Sequence, residues 1–156
     1  MQPFTYGDLV IRPYEHGSVD DKKGYILRHK VLGLAPGVGD RTLEFVFGSH
    51  DDEREQIKIG VFQADAMVGT LCLVPHDDGT AMIKQFAVDV KLQGRGIGKK
   101  LLEYAHATAK ELGVSRIILD ARQKVEKFYA KAGYIPTGKL SGSPTLVLVQ
   151  MYYDLL

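Results

Sequence analysis

A chain of 156 residues is the size of one domain, and 45% hydrophobic with 25% charged residues is the balance of a folded globular protein. Disordered, collagen-like and coiled-coil organisation are excluded on those grounds. The net charge of +1 hides two opposed halves: residues 1–80 hold 8 basic and 13 acidic side chains, net −5, and residues 81–156 hold 12 and 6, net +6. That asymmetry points to an anionic ligand or partner on the C-terminal half.

No stretch approaches the ~20 apolar residues a membrane helix needs. Asp8, Arg12 and Glu15 interrupt the N-terminus where a signal peptide needs an unbroken apolar core. The expectation is a soluble, cytoplasmic protein with no membrane partner. The single cysteine, Cys72, excludes an internal disulfide and cannot build a thiolate metal site alone. It lies in the apolar run Leu71-Cys72-Leu73-Val74 and is expected to be a small buried core residue. No metal is expected.

In chain order, Leu9-Val10-Ile11 predicts an opening strand stopped by Pro13. Ser18, with Asp21 three residues on, resembles a capping box and opens a helix to about Leu32, ended by Gly33 and Pro36. Residues 33–56 predict a mobile or irregular segment. They hold the apolar run Leu43–Phe47 and an acidic cluster, Asp51, Asp52, Glu53 and Glu55. Ile57–Phe62 alternates like a strand, Met67–Val74 is its hairpin partner, and Asp77-Asp78-Gly79 turns into a third strand, Ala81–Val88. A basic glycine loop follows. The helix after it has apolar or small residues at 98, 101, 102, 105, 109 and 112, one helical face, and ends at Gly113. Arg116–Leu119 predicts a strand. Residues 123–132 predict a second helix, with Val125, Phe128, Tyr129 and Ala132 on one side. Tyr134–Thr137 and Leu146–Tyr153 close the pattern as strands, the last apolar on both faces as in a covered sheet centre. The sum is one domain over 1–156: a mixed α/β fold, with a central sheet of about six or seven strands and helices on both faces.

The loop Gln93-Gly94-Arg95-Gly96-Ile97-Gly98-Lys99-Lys100 stands between a strand and a helix. Glycines allow close backbone approach, unpaired amides point out of a helix start, and the helix dipole adds positive potential there. Arg95, Lys99 and Lys100 add full charges, so the segment reads as a cradle for a phosphate group or, alternatively, as a glycine-rich turn with solvated lysines. It is not a Walker loop, because no Lys-Ser/Thr follows the glycines. Its Gly-x-Gly-x-Gly spacing is also wrong for a dinucleotide fingerprint.

Gln93-x-x-Gly96-x-Gly98 resembles the Gln/Arg-x-x-Gly-x-Gly/Ala loop of the GNAT N-acetyltransferase superfamily. A second block is similar to that family's helix: Phe128-Tyr129, four residues before Gly133-Tyr134. Ile11-Arg12-Pro13 resembles its first strand. The resemblance runs from about residue 9 to 153 and is strongest over 81–134.

The resemblance implies acetyl-CoA as cosubstrate. Phe86, Ala87 and Val88 would pair with its pantetheine arm through their backbone. The loop from Gln93 through Gly94, Arg95, Gly96, Ile97 and Gly98 to Lys99 would hold its pyrophosphate. It further implies transfer of the acetyl group to a primary amine, of a small molecule or peptide, by direct attack on the thioester. Tyr129 matches the family's usual thiol-protonating tyrosine. Many relatives carry a Glu on the strand before the loop, where this chain has Lys84 and Gln85, so deprotonation of the amine falls to ordered water or a residue elsewhere. Arg122 stands where many members have Asn. His106 is expected to be structural, and His76, Asp77 and Asp78 to form a solvated turn. The acceptor pocket is expected from residues 17–56 and 137–145, with the acidic cluster either attracting a cationic amine or simply solvated. The alternative is a catalytically inactive acyl-CoA-binding sensor or regulatory module on the same fold. The basic residues gather at the glycine loop rather than along an aromatic-studded strand, so nucleic acid is not an expected partner. A homodimer is a candidate assembly.

Overall fold

The computed structural model describes residues 1–33 and 50–156. The run Leu43–Phe47 and most of the predicted irregular segment lie outside the described residues. The elements are β1 (Phe4–Tyr6), β2 (Leu9–Tyr14), α1 (Val19–Leu32), β3 (Ile57–Gln63), β4 (Ala66–Pro75), β5 (Thr80–Val88), α2 (Ile97–Glu111), β6 (Arg116–Arg122), α3 (Glu126–Lys131), β7 (Ile135–Ser143) and β8 (Leu146–Asp154). Short 3₁₀ turns cover Asp51–Glu53, Val90–Leu92 and Gln123–Val125.

The strands form one mixed sheet in the order β1-β2-β3-β4-β5-β6-β8-β7. The eight strands exceed the six or seven expected, because β1 adds a three-residue edge strand paired to β2 through Phe4↔Ile11 and Tyr6↔Leu9. All three of its residues are exposed, so it has no buried face to show a period in sequence. Among the described residues the only parallel pairing is β5 with β6. The β8 expectation is corrected: the strand lies between β6 and the fully exposed edge strand β7, and only Val149 and Met151 are buried.

Strand alternation divides the protein into two unequal cores. Ile59, Val61, Leu71, Leu73, Ala81, Ile83, Ile117, Leu119 and Met151 point to one face and pack with Ile97, Leu101, Leu102, Ala105 and Ala109 of α2 and Tyr129 of α3. The other face is covered by α1. There a small apolar cluster (Tyr14, Leu27, Phe62 and Met67) sits beside buried charges. The start of α1 follows the capping expectation: Ser18 Oγ accepts from Asp21 N–H at 3.2 Å, and Asp21 reaches back to Gly17 N–H at 2.8 Å.

Candidate active site

The neighbouring strands β5 and β6 share only three register positions, Thr80↔Arg116, Ala81↔Ile117 and Met82↔Ile118. Beyond them β5 runs on to Val88 and β6 to Arg122 without pairing, so the sheet opens into a fork. A bulge in β5 contributes: Gln85 and Phe86 together oppose Leu71, between Cys72↔Lys84 and Thr70↔Ala87. Gln85 takes φ +56°, one of two non-glycine residues with positive φ among the described residues. A bulge bends its strand and re-aims its backbone groups. The β6-facing edge of β5 beyond Met82 therefore has no strand partner, and an extended ligand can add to it as a strand along Phe86–Val88.

At the open end of the fork lies the glycine loop. Gln93 Nε2 donates to Val88 C=O at 2.9 Å, which ties the loop back to the end of β5. Gly96 takes φ +82° just before α2, a backbone turn that a side chain would strain. The hydrogen-bond ladder of α2 begins with Lys100 N–H donating to Gly96 C=O at 3.1 Å. The amides of Ile97, Gly98 and Lys99 therefore stand ahead of it, pointing out of the helix. The first turn holds no acidic residue. Arg95 and Lys99 are exposed, while Lys100 pairs with Glu103 at 3.6 Å and lies over the Tyr6 ring. These donors and charges fit a pyrophosphate.

The same end of the fork carries an aromatic cluster. Phe86 of β5 lies 5.9 Å from the Phe128 ring and 6.0 Å from Tyr129 of α3. A Cβ on Gly98 would stand 3.2 Å from Phe128 Cζ, so glycine there lets α2 approach α3. Tyr129 is buried, its hydroxyl has no hydrogen-bond partner among the described residues, and desolvation pushes its pKa up to about 12. The phenol is thus a protonated donor at any working pH. The structure brings Phe86, the loop from Gln93 to Lys99 and Tyr129 to one end of the sheet, although they are far apart in the chain.

His106 is structural. Its Nε2 meets Tyr134 Oη at 2.6 Å, its ring stacks on Tyr153 at 4.5 Å, and burial lowers its pKa to about 4. His76 and Asp78 hold the β4–β5 turn through Thr80, as expected of a solvated turn. The acidic cluster is not one solvated loop. Asp51 pairs with Arg54 at 2.8 Å, but Glu53 turns inward and binds Arg28 at 3.0 Å and Lys58 at 3.2 Å.

Glu53 belongs to a network that alternation alone conceals. Alternation along β3 sets Lys58 on the face opposite Ile57 and Ile59. That side is covered by α1, and its ammonium is fully buried against Asp21 (2.7 Å), Tyr25 Oη (2.9 Å) and His16 Nδ1 (3.1 Å). Arg28 bonds both Glu53 oxygens at 3.0 Å and donates to Cys72 Sγ at 2.8 Å. Burial pushes the Glu53 carboxyl up, yet Arg28 and then Lys58 outweigh it and hold it below the usual range. Cys72 is buried as expected, and burial pushes its thiol up to about 11. This network fastens α1 to β3 and β4.

The model of the acetyltransferase (GNAT) family matches residues 33–134, which contain the fork, the loop and Tyr129. The chain belongs to the GNAT acetyltransferase family. Among curated relatives, an uncharacterised ycf52-like N-acetyltransferase of Prochlorococcus marinus is 32% identical over 82 residues, 50% of this chain and 46% of that protein. The chain thus spans under half the length of that relative. Among solved structures, an aminoglycoside 6′-N-acetyltransferase complexed with coenzyme A superposes with a TM-score of 0.74 at 17% identity, covering 94% of this chain and 97% of that one. An acyl-CoA N-acyltransferase from Pseudomonas aeruginosa superposes with a TM-score of 0.72 at 16% identity, over 92% and 98%. At such identities the superpositions speak to the fold.

Proposed function

We propose that this GNAT-family chain is an N-acetyltransferase that moves an acetyl group from acetyl-CoA to a primary amine. The observation that carries this is the fork between β5 and β6, with an amide-rich basic loop at its open end and the buried residue Tyr129, its ring 6.0 Å from Phe86. Phe86, Ala87 and Val88 would bind the pantetheine arm as an added strand. Gly94 to Lys99 would hold the pyrophosphate through amides, the helix dipole and the Arg95 and Lys99 charges. In the reaction the neutral amine nitrogen forms a bond to the acetyl carbon as the thioester C–S bond breaks. The amine releases its surplus proton to solvent, and the departing sulfur meets the Tyr129 O–H. A phenol held protonated in a dry site is suited to donate a hydrogen bond to charge that develops only as the bond breaks.

The test is thiol release from acetyl-CoA with a panel of amines, for the wild type and Tyr129→Phe. The variant is expected to lose about a hundredfold in kcat, with little change in CoA affinity. Equal turnover in the variant would remove Tyr129 from the chemistry. CoA binding without turnover on any amine would favour the acyl-CoA sensor instead.

A further inference from the structure

Lys84 and Asp120 are opposite charges on either side of the fork, and neither makes an ion pair or hydrogen bond among the described residues. Their placement follows from register. Met82 and Ile118 are the last paired residues of β5 and β6. Two residues further along each strand, the side chain returns to the same face. Lys84 and Asp120 therefore face each other across the opening. Their face is the one under α1: Lys84 pairs with Cys72, and Cys72 touches Arg28 of α1. Both side chains are exposed.

Where the strands stay paired, facing charges on this surface join. Arg116 of β6 and Asp154 of β8 are cross-strand neighbours on the same face as Asp120, and they form a two-pronged pair at 2.6 and 3.2 Å. On the other side of β6 the splay holds Lys84 and Asp120 apart. The gap between them opens on the side of the sheet opposite the helix pair α2 and α3, next to the point where the fork begins. A molecule with one positive and one negative group satisfies both at once.

We propose that the acceptor is a small zwitterionic amine, a free amino acid, bound with its ammonium at Asp120 and its carboxylate at Lys84; the ammonium gives up one proton to solvent before its neutral nitrogen attacks the thioester. The proposal rests on the acetyl-transfer reading and specifies the acceptor class for it. The two residues set specificity: they bind the acceptor's charges on the far side of the fork from Tyr129. A diamine meets repulsion at Lys84, and a carboxamide leaves that lysine unmatched.

The experiment measures thiol release from acetyl-CoA by the wild type, Lys84→Glu, Lys84→Met and Asp120→Asn with free amino acids, their carboxamides and diamines. Both sites are exposed, so folding should hold, and calorimetric CoA binding checks the cofactor side. The wild type is expected to favour amino acids over carboxamides by about tenfold in kcat/KM. Lys84→Met should erase that preference through KM, and Lys84→Glu should shift it toward diamines. Asp120→Asn should weaken all three sets. Equal use of the three sets by the wild type, or a preference untouched by the Lys84 variants, overturns the proposal and leaves acetyl transfer standing. No turnover with any set, while CoA still binds, overturns acetyl transfer itself.

Discussion

The Arg122 guanidinium, at the end of β6, donates to the Leu32 carbonyl at the C-terminus of α1 at 3.0 Å. On the opposite side of the fork, Lys30 of the same helix turn reaches Asp89, just after β5, at 3.8 Å. The last turn of α1 is thereby tied to both prongs where they are unpaired. A cation at a helix C-terminus also suits the dipole. Arg122 therefore serves the architecture of the fork, which is what this chain does with the position where many relatives have Asn.

Arg122→Ala should loosen that turn. The expected loss of stability is about 1.5–3 kcal/mol, the worth of one partly buried charged hydrogen bond. If α1 forms a wall of the acceptor site, the acceptor KM should rise several-fold more than that for acetyl-CoA. Denaturant unfolding and paired KM measurements check both.

Lys58→Met should be far more damaging. It removes the cation between Asp21 and Glu53 and leaves Asp21, which is buried, without its closest counter-charge. Breaking one partner of a buried ionic network costs about 3–5 kcal/mol. Lys23→Met, which breaks a partly exposed pair with Asp20 and an exposed hydrogen bond to the Asp65 carbonyl, should cost under about 1 kcal/mol. Urea unfolding of the two variants measures the difference, and similar midpoints would contradict the network's role.

The histidine at 106 should make stability depend on mild acid. Its folded pKa lies near 4, against about 6.5 unfolded, because burial disfavours the imidazolium. Between those values the unfolded chain binds a proton that the folded one does not. Stability is then lost as pH falls from about 6.5 toward 4 and is retained above that window. His106→Gln, which keeps a partner for Tyr134, should flatten this slope in melting curves taken across the range.

Gln85 holds a left-handed backbone at the bulge. Gln85→Val places a β-branched residue there and should lower stability by about 1–2 kcal/mol. Gln85→Gly removes the steric cost and should stay near the wild type. Activity should follow the backbone: Val should reduce kcat/KM for acetyl-CoA, and Gly should preserve it.

Much of the architecture was legible along the chain because its signals are local. The Ser18–Asp21 cap, the alternation of β3 and β4, the stripe of α2 and the Gln93–Gly98 loop each depend on neighbours within about a turn or a strand. So did the two blocks that carried the family resemblance. Tyr129 was singled out in the same way, by its spacing to Gly133 and Tyr134. Glu53 and Arg122 were left open, and the buried place of Lys58 was not foreseen, because a charge's surroundings are set by residues distant in sequence. An alternating strand looks the same whether its second face meets water or a helix carrying Asp21 and Arg28.

The near-neutral total and its two opposed halves, the strand and helix order, and the glycine loop belong to the sequence by itself, since each is a matter of composition or of short-range periodicity. The folded structure alone decided where β5 and β6 part, and the positive φ of Gln85 is a property of the folded strand pair. It also decided that the −5 half spends Asp21 and Glu53 on buried lysine and arginine, and that Lys84 faces Asp120 unpaired. These are relations between segments up to about 40 residues apart, and only packing, which brings such segments to one sheet, creates the contacts that give each charge its neighbour.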